Sequence, residues 1–311
     1  MRYILSVLLI VCMMPAMAQQ DAQYSFFMFN NLAFNPGFAG SNDAICASVI
    51  NRQQYMGFEG YPSTTVFNID APISAINSGV GLTINSDKVG NEKSMNLLLS
   101  YAYRMNLGDG QLGMGLNLGI MNKSLSGTWV SPEDLGTGTG TSDPSIPSGD
   151  VSHTALDLSL GVFYRLDNFY VGLSSTHLNE AKLDYAAGDD SKLKRHYYLA
   201  AGYFYKLPNP IFELRPSILI KSDGATSQID LNASLLYNKM FWGGVSYRAG
   251  DAIVAMAGVE LRNGIKFGYA FDFVTNKIGT YNRASHEFIL GYCFNVSMNK
   301  SRGSYKSVRI L

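Results

Sequence analysis

From Gln111 to Asn122 the chain alternates apolar and small or polar residues without a break. Leu112, Met114, Leu116, Leu118 and Ile120 are interleaved with Gly113, Gly115, Asn117, Gly119 and Met121. Successive side chains of a strand point to opposite faces, so such a segment has one greasy face and one small or polar face. Soluble sandwich strands alternate too, but their polar face is richly charged. Here charged residues make up only 15% of the chain, against an average of about 25%. The beat recurs in segments of roughly ten residues, as expected of a barrel with lipid outside and a polar lumen. After the N-terminus no apolar run approaches the roughly 18 residues of a spanning helix. A closed set of strands is the other way for a backbone to cross a bilayer.

The start of the chain supports export. Arg2, an apolar stretch over 3–14 and the small-x-small run Ala16-Met17-Ala18 read as a secretory signal peptide over 1–18, with a mature start near Gln19. Cys12 lacks a small residue before it, since Leu9-Ile10-Val11 precede it, which speaks against a lipoprotein anchor. A formal net charge of +0 and the lack of a basic stripe with interleaved aromatics remove the case for a nucleic-acid partner.

The pattern predicts an all-β fold, a transmembrane antiparallel up-and-down β-barrel of about fourteen strands. Their spans are 44–56, 62–72, 77–86, 94–106, 111–123, 153–166, 169–178, 195–206, 213–222, 229–238, 240–248, 252–262, 264–275 and 284–296. Short links such as Leu107-Gly108-Asp109-Gly110 alternate with longer ones at 87–93, 124–152, 179–194, 223–228 and 276–283. An even strand number places both termini in the periplasm, with the long links outside. Two regions lie outside the barrel at 44–296. The segment 19–43 holds Tyr24, Phe26, Phe27, Phe29, Phe34 and Phe38, too aromatic for a solvated tail, and is expected as a plug or periplasmic cap. The tail 297–311 is basic, with Lys300, Arg302, Lys306 and Arg309.

Several residues are candidates for partner binding or for a structural network. Arg52, Gln53 and Gln54, followed by Glu59, form a polar cluster in and beyond the first strand, where an arginine should pair with carboxylates. His286-Glu287 are placed at the outer rim. His177 has Glu180 nearby, but His153, His177, His196 and His286 show no metal-ligand spacing. No nucleophile elbow stands on a strand–turn–helix frame, so the chain is read as non-enzymatic and without a cofactor. Trp129 is the apolar anchor of the longest link, which also carries the run Gly136-Thr137-Gly138-Thr139-Gly140-Thr141. Cys46 begins the first strand and Cys293 ends the last. If the barrel closes, these strands are antiparallel neighbours and a seam disulfide is within reach; two free thiols are the alternative.

Ordered matches along the chain resemble a known family. Asn35-Pro36-Gly37-Phe38-Ala39-Gly40 is followed by Arg52-Gln53-Gln54-Tyr55, Gly57-Phe58-Glu59-Gly60 and Pro62-Ser63-Thr64-Thr65. Ser100–Arg104, Gly172–Leu178, Trp242–Arg248 and Ser285-His286-Glu287 come after them. Together they are similar to the PorP/SprF family, outer-membrane proteins of the type IX secretion system of Bacteroidota. Tyr55 stands where that pattern has tryptophan. The resemblance implies transport or surface attachment rather than catalysis. Its implied partners are periplasmic secretion-ring lipoproteins and a large secreted surface protein, such as a gliding adhesin, with a C-terminal sorting domain. Outer-membrane lipid surrounds the barrel. It also brings Arg248, at the end of the Trp242 match, among the candidates. A passive or selective small-solute channel is the alternative reading.

Overall fold

The computed structural model describes residues 21–57, 59–127, 149–183, 191–280 and 284–294. Strands β1 (Ile45–Met56), β2 (Ser63–Ile73), β3 (Ser78–Val89), β4 (Glu92–Leu107), β5 (Gly110–Leu125), β6 (Val151–Arg165) and β7 (Phe169–Thr176) follow one another as antiparallel hairpins. β8 (His196–Tyr203) and the two-residue β9 (Tyr205–Lys206) form one stave, broken at Phe204, and both pair with β10 (Phe212–Ser222). β11 (Ser227–Tyr237), β12 (Phe241–Arg248), β13 (Ala252–Glu260), β14 (Ile265–Val274) and β15 (Ala284–Phe294) complete the wall. β15 returns to pair with β1, so no sheet edge is left open. Among the described residues the result is a closed antiparallel barrel of fourteen staves. No described helix is long and apolar enough to cross a membrane.

Alternation in sequence becomes alternation in burial. Along β11 and β4 buried and exposed residues take turns over most of the strand. Leu99, Leu118, Leu156 and Leu160 point outward and are half exposed or more. Their neighbours Leu98, Asn117, Asp157 and Ser159 point inward and are buried. Tyr103, Tyr203, Tyr205, Tyr237, Phe241 and Phe294 are exposed outside the barrel near its short-turn end, where an interfacial aromatic girdle belongs.

The links differ in one respect from the expected strict alternation. The short-turn end has 74–77, 108–109, 166–168, 207–211, 238–240 and 261–264. The opposite end carries the long links 126–150 and 177–195, but also 90–91, 223–226 and 249–251. The β3–β4 link, expected to be long, is the pair Gly90-Asn91. Gly90 adopts φ +58, the left-handed conformation that lets strands continue into a two-residue hairpin.

Cys46 and Cys293 sit directly opposite each other where β1 meets β15. They are joined by a disulfide at a Cα separation of 4.1 Å, which staples the first stave to the last near the short-turn end. Replacing Cys46 by serine is expected to cost about 2–4 kcal/mol. The readout is a lower temperature for loss of the compact gel mobility of the folded barrel. An unchanged temperature would mean that the seam hydrogen bonds alone hold the closure.

Candidate functional site

A barrel of fourteen staves is wider than its own wall side chains can fill. In this protein the lumen receives the aromatic segment 21–43, which runs from the long-link end towards the short-turn end. Asp21 meets Thr176, His177 and Tyr198, all on the upper parts of β7 and β8 or just beyond them. Ser25 and Phe26 meet Glu287. Lower down, Asn30 accepts from Asn68 at 2.6 Å, Asn35 donates to the Val162 carbonyl at 3.0 Å, and the Gly40 amide donates to Asp70 at 2.9 Å. The segment's described start, Asp21, thus lies in the outer half of the lumen and not at the periplasmic end expected for the termini, and the segment ends where β1 begins.

Two apolar clusters hold it. Phe26 packs with Ile50, Val66, Trp242, Val254 and Ile289, its ring meeting Trp242 edge-on at 5.8 Å. Phe27 and Phe34 pack with Phe163, Tyr170, Tyr198 and Leu219. A single helical turn, Asn31–Phe34, lies between short 3-10 turns at Phe27–Phe29 and Pro36–Phe38, so these rings point to different walls.

The Asn35-Pro36-Gly37-Phe38-Ala39-Gly40 run owes its composition to how closely it lies on the wall. A Cβ on Gly115 would stand 2.4 Å from the Pro36 carbonyl carbon, and one on Gly79 would stand 2.0 Å from the Ala39 carbonyl oxygen. A Cβ on Gly37 would in turn stand 2.8 Å from the Gly113 carbonyl oxygen. Bare backbone therefore meets bare backbone, and the lumenal glycines of β3 and β5 form a floor for the turn.

Above this floor is a buried charge network. Arg52 of β1 donates to Glu287 at 2.9 Å and to Asp272 at 2.7 Å. Arg248 of β12 donates to Asp230 at 2.8 Å and to the same Asp272 at 2.9 Å. Both arginines also reach Ser25 Oγ, at 2.8 and 3.2 Å, and Ser25 Oγ donates to Asp272 at 2.8 Å. Glu287 accepts the Ser25 and Phe26 amides at 2.7 and 2.8 Å. Arg52, Arg248, Asp272 and Glu287 are each 2% exposed or less, so water does little to screen these pairs. The network joins β1, β11, β12, β14 and β15 to residues 24–26.

A second tie lies across the lumen. His177 is clasped between Asp157, 2.9 Å from Nδ1, and Asp21, 2.9 Å from Nε2. Burial works against a charged imidazole here, but Asp21 and Asp157 outweigh it and push His177 up to about 10. Burial likewise opposes the Asp21 anion. The His177 charge, with hydrogen bonds from His177 and Tyr198, outweighs it and holds that carboxyl well below the usual range. Lys221 donates to the Asp21 carbonyl at 2.9 Å. Two chambers border the stretch 27–38. The upper, about 340 Å³, is lined by Asp21, Tyr24, Asn96, His177, His196 and Lys221 among others. The lower, about 320 Å³, is lined by Phe29, Phe38, Asp70, Arg165, Phe204 and Lys266 among others.

The family model for the type IX secretion system membrane protein PorP/SprF matches residues 16–292. The chain belongs to the PorP/SprF family. It is an outer-membrane β-barrel component of the type IX secretion system, and it works with other components of that system. No curated protein matches the sequence. Among solved structures, outer membrane protein Omp33 of Acinetobacter baumannii is 9% identical with a TM-score of 0.44, over 81% of this chain and 99% of that one. The CymD monoaromatic hydrocarbon channel is 13% identical with a TM-score of 0.45, over 81% and 88% of the two chains. The KdgM porin is 11% identical with a TM-score of 0.39, over 80% and 99%.

The candidate residues of this PorP/SprF barrel do not gather in one place. Arg52, Arg248 and Glu287 meet in the lumenal network, and His177 lies in the second tie. Gln53 and His286, one residue along from Arg52 and Glu287, face the other side of the wall because strand neighbours alternate. His286 is hydrogen-bonded to the Tyr269 hydroxyl at 2.7 Å and lies beside the Phe271 ring. The expected Arg52–Glu59 polar cluster is therefore divided. Gln54 pairs through its amide with the Pro62 carbonyl at 2.8 Å, and Glu59 is exposed in the β1–β2 link. Likewise His286-Glu287 is not a rim pair, since Glu287 turns inward. Trp129 lies outside the described residues. Asp21, Ser25, Asp230 and Asp272 were not singled out in the sequence. A charged residue on the small-residue face of an otherwise lipid-facing strand, as Asp272 is, is the signal that could have found the wall members.

Proposed function

We propose that this barrel is a plugged scaffold of type IX secretion that supports secretion and cell-surface attachment of a partner protein. The partner is a large surface protein with a C-terminal sorting domain, of the gliding-adhesin kind. The outer links 126–150 and 177–195 contact it, and the short-turn face meets the secretion-ring lipoproteins. Family membership supports this reading. The observation that carries it over a solute channel is the filled lumen, in which an aromatic segment is held to the wall by hydrogen bonds of Ser25 and Phe26 to the buried charge network, by the Asp21–His177 pair and by backbone contact. A conducting pore has no need of such a segment.

The test is a pull-down of the tagged protein from gently solubilised outer membranes, with mass spectrometry of co-purifying proteins and conductance of the purified barrel in planar bilayers. Recovery of a large sorting-domain protein or of ring lipoproteins, with no steady conductance, is expected. A barrel that comes down alone and conducts reproducibly would overturn the scaffold in favour of the channel.

A further inference from the structure

The second tie has the makings of a metal site. Asp21, His177 and His196 come from the lumenal segment, the link after β7 and the first residue of β8, between 19 and 175 positions apart in sequence. Each offers one ligand atom, and these atoms lie within 4.8 Å of one another. An ion about 2.0–2.2 Å from each would set the ligand atoms roughly 3.4 Å apart, so the widest pair must draw in by about an ångström while Asp21 and His177, now 2.9 Å apart, open slightly. Asp157 stands 2.9 Å from His177 Nδ1 and leaves Nε2 facing Asp21. That carboxylate–histidine pairing is how metal-bound imidazoles are oriented by their neighbours. His177 also takes φ +53, a backbone cost accepted at the position that turns its ring into the lumen. All three residues line the upper chamber, which leaves room for a fourth ligand.

We propose that Asp21, His177 and His196 bind one divalent transition-metal ion of the zinc type, which clamps the lumenal segment to the wall. Two imidazoles and a carboxylate suit zinc rather than calcium or magnesium, which want more oxygens. Two carboxylates, Asp21 and Asp157, face the cluster, and the positive groups beside them are Lys221 and, in the metal-free state, the protonated His177, whose proton the ion would have to replace. Without metal the same groups satisfy one another. His177 then bridges the two carboxylates, and His196 Nε2 accepts the Asp21 amide at 3.2 Å. The ion would replace those contacts with a stronger link between segment and barrel.

The test uses the tag-free mature barrel in detergent, stripped with EDTA and titrated with zinc chloride by calorimetry, with metal content measured after dialysis. One zinc per chain is expected. Affinity should fall about 10- to 100-fold in Asp157→Asn, which leaves all three ligands in place, and further in His196→Gln. Hydrogen exchange of the Ala22–Phe26 amides should slow when zinc is added to the wild type but not to His196→Gln. Folding of each variant is checked first by heat-modifiable gel mobility, and an unfolded variant is replaced by Asp21→Asn. No saturable binding, or zinc held equally well by the folded variants, would overturn the proposal.

Discussion

Gly115→Val is expected to drive the turn at 35–40 off the lumen wall while the barrel itself still closes. The added Cβ would stand 2.4 Å from the Pro36 carbonyl carbon and 2.5 Å from the Gly37 nitrogen, both backbone atoms with no rotamer to yield. The wall cannot yield either, because Gly115 is paired to Ala102 on one side and to Gly161 on the other. Relief therefore comes from the segment, at a cost of about 3 kcal/mol or more, since overpacking a fitted contact is compounded by lost burial. Asn35–Gly40 should become open to protease in the folded barrel, and conductance should rise from closed to open. Leu116→Ala, one residue along on the lipid face, should change neither. A folded Gly115→Val barrel with a protected segment would mean that the backbone contact does not fix the turn.

How far the sequence reveals this arrangement depends on the range of the interaction. The period of two in 111–122 is local, so the faces of β5 and the existence of each stave are legible. Strand ends are less so, because Gly90 sustains a hairpin where a charged link was expected. The charge network is not local. Arg52 and Asp272 lie 220 residues apart, and their meeting depends on closure, on register and on the lumenal path of Ser25. The Asp21–His177 contact spans 156 residues and needs that same path. One misreading was avoidable. Arg52 and Gln53 do not form one cluster, because adjacent strand residues necessarily face apart. The aromatic density of 24–38 marked a segment in need of burial, but its direction of travel through the lumen has no local signal.

Arg52→Met is the second change with a large expected effect, about 3–5 kcal/mol of destabilisation. The figure reflects what is left behind rather than what the pair contributes. Glu287 would keep two backbone amides, from Ser25 and Phe26, and Asp272 would keep Arg248, but one negative charge would lose its direct partner inside the lumen. If that is the cause, removing the charge as well should undo the damage. Glu287→Gln added to Arg52→Met should restore part of the lost stability, because the charge is gone and the amide oxygen still accepts one of the two segment amides, while its NH2 cannot accept the other. Lysine is not expected to substitute, since its point charge cannot address Ser25, Glu287 and Asp272 at once as the guanidinium does. Denaturant unfolding of the wild type, Arg52→Met, Glu287→Gln and the double variant would give the coupling between positions 52 and 287 directly. A loss below about 1 kcal/mol in Arg52→Met would show a pair as weak as one exposed to water. The upper half of the segment would then rest on its aromatic contacts and on the ties of Asp21 to His177, Tyr198 and Lys221. A large loss with no recovery in the double variant would instead make Arg52 matter through its bond to Ser25.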